Sequence, residues 1–462
     1  MWLAIALACS GVAETDAPDG LDTDALTGAR LSGTVAASTA AGYLIGEAAG
    51  DYAGTDLAAG DATGDGVPEL LIIGGGPGLA WLWSGPPSGA GNLADAHAQF
   101  GWSDRGDGPL YAPGIGDVTG DGQGDVVLTS PGAWDQAGRL YAFRGPVAAG
   151  DHDVKDADVV IDGVGDDFLG IDVAVGSDAT GDGLDDVLVG AMSMEDGGGA
   201  YLLAGPITTG DARSRAATTL RGAPGDAAGG GVAFVGDVDG DGVADLAVGA
   251  QDAAGGLGAV YVVAGPPPSG TFDLSAADAI WTGETAGDGS GRSVAAAGDV
   301  DGDGTADVFT GTLYNNESST GGAGRGYLLF GGAWGGAASL STAGVVFAGV
   351  SAGDRVGYPV GPGGDHDGDG HADLLLGASG SDLGGTDSGA TYVVYGSGSL
   401  SGSFALSSAD AVIVGAPGGY LGGLADPADY NADGYDDFAI SAPWADDVAP
   451  HVGTIFVWYG GP

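Results

Sequence analysis

Cysteine, lysine and helical periodicity are almost missing from this chain, and each shortage excludes something. The single cysteine is Cys9, so no internal disulfide can form. The single lysine is Lys155, and 11 Lys plus Arg stand against 63 Asp plus Glu, for a net charge of −52. Such a surface repels nucleic acid and anionic membranes and attracts divalent cations. The five histidines are His97, His152, His366, His371 and His451, too scattered for a zinc site. No Gly-x-x-x-x-Gly precedes Lys155, which removes a phosphate loop. No run beyond the N-terminus approaches the roughly 18 apolar residues of a membrane span. No stretch combines helical periodicity with caps.

Glycine is abundant, with 98 residues, yet the hydrophobic fraction is 44% and the glycines recur at intervals. Periodic glycine reads as turns between short strands. One stretch organises the rest: Gly236-Asp237-Val238-Asp239-Gly240-Asp241-Gly242-Val243-Ala244-Asp245-Leu246-Ala247-Val248. Carboxylates at alternate positions, separated by glycine, let a chain curl around one hard cation. Calcium loops place side-chain oxygens at positions 1, 3 and 5, a backbone carbonyl at 7 and a late carboxylate. Here the late acid is Asp at position 9, and a β-type run follows instead of a helix. The stretch recurs from Asp61, Asp117, Asp178, Asp237, Asp299, Asp365 and Asp429, 56 to 66 residues apart. That regularity predicts a repeat of one supersecondary unit.

Each repeat carries four strand-like runs bounded by Gly and Pro. In the fourth repeat they centre on Val232-Ala233-Phe234, Leu246-Ala247-Val248, Val260-Tyr261-Val262 and Ile280-Trp281. The third run is apolar on both faces, as in sheets stacked between sheets. The first run favours Ala and Gly, which suits strands crowded about an axis. A fourth-type run, Tyr43-Leu44-Ile45, precedes the first loop, and the sequence ends at Pro462 just after a third-type run. If residues 43–46 complete the last blade, the ring closes and no edge is left open. The expectation is an all-β, seven-bladed propeller of four-stranded blades, closed by an N-terminal outer strand.

Asp-x-Asp-x-Asp-Gly-x-x-Asp, an apolar run, then a Gly-Ala-Pro-like element (Gly190-Ala191, Ala442-Pro443), with Phe168-Leu169-Gly170 and Tyr420-Leu421-Gly422 ahead of it, resembles the FG-GAP repeats of the integrin α-subunit propeller. The resemblance covers residues 41–462. It implies calcium in the hairpins between first and second strands, on one face, and ligand contacts on the opposite face.

Up to seven Ca²⁺ sites are expected. Loop one offers Asp61, Thr63, Asp65, Val67 and Glu69; loop two Asp117, Thr119, Asp121, Gln123 and Asp125; loop three Asp178, Thr180, Asp182, Leu184 and Asp186. Loop four offers Asp237, Asp239, Asp241, Val243 and Asp245, loop five Asp299, Asp301, Asp303, Thr305 and Asp307. Loop six offers Asp365, Asp367, Asp369, His371 and Asp373, loop seven Asp429, Asn431, Asp433, Tyr435 and Asp437. The seventh position contributes a backbone carbonyl. A threonine hydroxyl is a poorer ligand than a carboxylate, so loops four to seven should bind more tightly than loops one to three. The alternative for the Thr loops is a metal-free hairpin held by Asx-type bonds. His366 and His371 are expected to point to solvent.

Other motifs carry little. Arg105-Gly106-Asp107 falls in the Gly-Asp slot also filled by Gly225-Asp226 and Gly287-Asp288. Gly349-Val350-Ser351-Ala352-Gly353 fits a nucleophile elbow, but no helix follows and no histidine is placed as base. Trp134, Tyr314 and Trp444 fall in second-to-third strand connections, on the face expected to meet a ligand.

At the N-terminus an apolar run leads into Ala6-Leu7-Ala8-Cys9-Ser10-Gly11, which resembles the lipobox of bacterial lipoproteins, although no basic residue precedes it and the run is short. The organisation read from this is an export signal at 1–9 ending at a lipidated Cys9, an acidic tether at 10–40 and the propeller at 41–462. The expected function is non-enzymatic: a calcium-binding, exported propeller that binds protein or glycan at the cell surface. Its only expected membrane association is through a lipid anchor at Cys9. The alternatives are a polysaccharide-acting enzyme with its site at the channel mouth and a structural envelope component.

Overall fold

The computed structural model describes residues 30–76, 78–102, 108–312, 322–332 and 334–462. Cys9, Arg105-Gly106-Asp107 and Tyr314 lie outside them, as does the side chain of Trp134.

Seven sheets form the blades of a closed propeller. Blade four shows the build. Ala228–Gly236 pairs antiparallel with Asp245–Ala250, which pairs with Ala259–Val263, which pairs with Ala279–Thr282. The second strands are wholly buried in all seven blades, as strands covered on both faces must be. Apolar side chains of neighbouring blades interlock: Leu188, Leu202 and Leu220 of blade three pack in one cluster with Leu246, Val248 and Tyr261 of blade four. Each such aliphatic side chain contributes about 1.5–3 kcal/mol by leaving water. The glycine of the Gly-Ala element permits this approach. A Cβ on Gly249 would strike the carbonyl oxygen of Gly291 in the next blade.

Each sheet has five strands, not the four expected. The fifth is a short piece of the next blade's connection. Gly336–Ser339 lies parallel to Ala279–Thr282 in register Ile280 to Ala337, and Gly270–Asp273 does the same for Thr218–Arg221. The polar stretch 267–278 reads as a loop because it has no apolar alternation. Its backbone nevertheless satisfies an outer strand that would otherwise present unpaired N–H and C=O groups.

Closure follows the expected route and goes further. Gly42–Ile45 pairs antiparallel with Thr454–Trp458 and becomes the fourth strand of blade seven. Gly33–Ala36 lies parallel to Ala411–Val414 as the fifth strand of blade six. Residues expected to belong to the tether thus sit in the propeller: Leu31 and Val35 are buried among Leu375, Val393 and Ile413. Alternate Val35 and Ala37 face the core, but the run is too short to stand out beside the Asp- and Thr-rich stretch before it.

Candidate metal centre

The loops join first to second strands on one face, and their backbone geometry arranges the acids. Gly240 and Gly242 hold φ of +82° and +90°, a region glycine reaches without steric cost. This turns successive N–H groups inward. Asp237 Oδ1 accepts from Gly240 and Asp241 at 2.7 and 2.9 Å, and its Oδ2 accepts from Gly242 at 2.9 Å. Asp239 accepts from the Asp241 N–H, and Asp241 from the Val243 N–H. The same brace on position 5 recurs at Val67, Gln123, Leu184, Thr305, His371 and Tyr435. The carboxylates are therefore positioned by the chain itself, and the oxygens that accept only one hydrogen bond, such as Asp237 Oδ2, keep a lone pair for a cation.

The position-9 acid sits beneath the loop. Asp245 is fully buried, and its two oxygens accept from Val238 and from Gly265, which follows the third strand. Asp307, Asp373 and Asp437 repeat this bracing with Val300 and Gly331, His366 and Gly396, and Tyr430 and Gly460. Burial, reinforced by nearby acids of the same loop, pushes these carboxyls up to about 6 in Asp245, about 7 in Asp307 and Asp437, and about 8 in Asp373. An anion so placed is costly unless a cation compensates it.

Four loops bring three carboxylates within 4.8 Å of one another: Asp61, Asp65 and Glu69; Asp237, Asp239 and Asp245; Asp299, Asp301 and Asp303; Asp365, Asp367 and Asp369. In loop six Asp365 Oδ1 is buried without a hydrogen-bond partner, which fits the role of a metal ligand. Loop one joins the convergent group because Glu69, longer than Asp, reaches back under Thr63. The hydroxyls of Thr63, Thr119 and Thr180 donate to the position-9 acid of their own loop. In loop seven the Asn431 amide donates to Asp433 Oδ2, and in loop two Arg144 lies 3.5 Å from the corresponding Asp121 Oδ2. The geometry therefore groups loops one, four, five and six, a division that differs from the expected split between four-to-seven and one-to-three. Both triads and Asx bonds occur in the same loops, so the two readings are not exclusive.

His366 does not point to solvent. It is fully buried beside Phe438 at 4.6 Å, with Nδ1 3.1 Å from the Asp436 carbonyl, and burial pushes it down to about 4. His371 lies half-buried against Gly302 of loop five. Neighbouring loops are also linked: Ala244, Ala306 and Ala372 donate to the position-1 carbonyls of Asp178, Asp237 and Asp299. A further contact was not legible beforehand. Arg30 reaches loop six, where its guanidinium sits 3.0 Å from Asp367 and 4.2 Å from the Tyr395 ring centre.

On the opposite face Trp444 is 45% exposed and packs with three partners: Tyr52 at 4.9 Å, His451 at 5.4 Å and Tyr420 at 6.0 Å. Tyr52 and His451 stack at 5.4 Å. The cluster lies at the seam of blades seven and one. Tyr52 and Tyr420 occupy corresponding places before first strands, which repeat comparison alone could have shown; His451 could not be foreseen.

Seven blades, acidic hairpins on one face and glycine-dependent blade contacts make up a seven-bladed β-propeller, and two of its repeats are similar to a known repeat family. The FG-GAP repeat family matches residues 228–263 and 290–329, which contain loops four and five. The chain is also 28% identical over 172 residues to integrin alpha-PS2 of Drosophila melanogaster, an alignment covering 33% of this chain and 12% of that protein. The chain thus spans a small part of that relative's length. Among the described residues no helix is long and apolar enough to cross a membrane.

Proposed function

We propose that this chain is a non-enzymatic, exported, calcium-stabilised propeller that binds a ligand at the cell surface through the face opposite its acidic loops. Calcium fits better than magnesium, which resists all-protein oxygen cages. The exposed four-ring cluster around Trp444 carries the binding reading. Large aromatic side chains left partly in water on a folded surface are characteristic anchors of recognition. The protein's charge of −52 and the acids beside the cluster, Asp446 and Asp447, favour a protein partner that presents a basic side chain to the rings. A glycan stacked on Trp444 is the other outcome.

Trp444→Ala is expected to weaken ligand capture at least about tenfold, as loss of a central aromatic anchor does, without changing the melting curve. Pull-down and glycan array with the calcium-loaded chain test this. Capture unaffected by the substitution would move the ligand site elsewhere.

Loop six carries a second expectation. The Arg30 guanidinium already neutralises part of its acid set, so a cation must compete with it. Half-exposed ion pairs are worth up to about 1 kcal/mol, so Arg30→Ala should tighten one calcium site up to about fivefold. A calorimetric isotherm identical to that of the unmodified chain would count against calcium in loop six.

A further inference from the structure

The central channel holds a cavity of about 670 Å³ whose wall is mostly glycine and apolar residues in and beside the first strands. Five of its charged and phenolic groups are gathered at one height. Asp56 pairs with Ile73, the fourth residue after Glu69. Val173 pairs with Val189, the third after Asp186, which sets Asp172 one step higher. The Tyr111 N–H donates to Thr129, the fourth after Asp125. Ser293 pairs with Gly311, the fourth after Asp307, with Arg292 directly above. Tyr358 pairs with Ala378, the fifth after Asp373. Five blades thus send a polar side chain to the same ring, and Asp426 of blade seven lines the same cavity about three residues nearer the acidic loops, level with Phe438, the first residue after Asp437.

The ring has two unlike sides. Asp56, Tyr111 and Asp172 come from blades one to three, and Arg292 and Tyr358 face them from blades five and six. The two acids are held in place: Asp56 Oδ1 accepts from Leu57 at 2.9 Å, and Asp172 accepts from Val173 at 2.9 Å and Val232 at 2.8 Å. Arg292 is steadied by Gln251 at 3.3 Å and lies 5.6 Å from the Tyr358 ring centre. Three acids against one arginine leave the cavity short of positive charge. Burial, then the charge of Asp172, holds the Asp56 carboxyl well above its usual range, and burial pushes Asp172 up to about 6.

We infer that the channel ring is a binding site for a small basic zwitterion, an amino acid or short peptide whose ammonium groups meet Asp56 and Asp172 and whose carboxylate meets Arg292. The excess of acid over arginine selects a ligand with a second cationic group. Tyr111, 41% exposed, stands at the mouth through which the ligand enters. The site is independent of the Trp444 cluster and of the acidic loops.

Isothermal titration calorimetry on the full chain in calcium tests this with L-lysine, L-glutamate, glucose and 1,5-diaminopentane. L-lysine should bind, and L-glutamate and glucose should bind at least about tenfold more weakly, as expected when like charge or absent charge meets a charged site. Asp56→Asn and Asp172→Asn should each weaken lysine about tenfold. Arg292→Gln should weaken lysine comparably, yet 1,5-diaminopentane, which has no carboxylate and loses a repelling cation, should bind as well or more tightly. Trp444→Ala should leave lysine binding intact. No heat with lysine on the unmodified chain, equal binding of glutamate or glucose, or equal losses for lysine and the diamine in Arg292→Gln would each overturn the proposal. The first two outcomes need no variant to fold.

Discussion

Chelation with EDTA is expected to lower the thermal midpoint of the full chain by about 10 °C or more. The physical ground is the carboxylate packing beneath the loops. Asp245, Asp307, Asp373 and Asp437 are buried, with their nearest charged neighbours of the same sign. Without a cation these anions repel or must take up protons, and both weaken the hairpin that each acid braces to the third strand. Four loops have converging acid triads. A site held at a hundred times its dissociation constant contributes about 2.7 kcal/mol, so four contribute about 11. The unfolding entropy of a domain this size makes each kcal/mol worth about 1 °C. Magnesium at the same concentration should restore little. A melting curve unchanged by EDTA would remove calcium from the account and leave the Asx-bonded loops as purely structural hairpins.

Truncation at the N-terminus should produce two distinct failures. Removing residues 1–40 takes away Gly33–Ala36 and uncovers the site of Leu31 and Val35 on blade six. Loss of two buried aliphatic side chains costs about 3–6 kcal/mol, so the protein should melt several degrees lower yet remain monomeric. Removing residues 1–47 also takes Gly42–Ile45 and exposes Thr454–Trp458 along its whole length. It further strips Glu47, which accepts from Trp81 Nε1 at 2.6 Å and Gln99 at 3.1 Å. An open, apolar edge of this kind recruits other chains, and the expected result is aggregation seen by light scattering and size exclusion. Removing residues 1–29 is the reference. Identical behaviour of the two longer truncations would show that closure does not depend on Gly42–Ile45.

The blade count, the loops and the closing strand were legible because each rests on a local pattern: alternating acids, short doubly apolar runs, and one spare outer strand at the start. The fifth strands were not. Gly402–Ala405 is four residues of Gly-Ser-Phe-Ala, and only its position beside Val345–Ala348 makes it a strand. His366 escaped for a similar reason. Its place in an exposed loop says nothing of Phe438 and the Asp436 carbonyl, which close over it. The channel ring depends on where five first strands far apart in sequence meet, and Asp56 and Arg292 lie 236 positions apart in the chain. The division among loops turned on side-chain reach, since Glu69 compensates for Thr63 where Asp125 does not bring a third acid beside Thr119.

The parallel strand Gly33–Ala36 gives the molecule a mechanical character. A pull applied along that strand's axis would load its backbone bonds to Ala411–Val414 together in shear. Beyond it, Thr39 Oγ bonds back to Ala36 at 2.8 Å and the chain turns before entering blade seven. Tension is therefore taken up at the rim of blade six before it reaches Gly42–Ile45. The outer strand acts as a fuse: it can yield and reform while the ring stays closed.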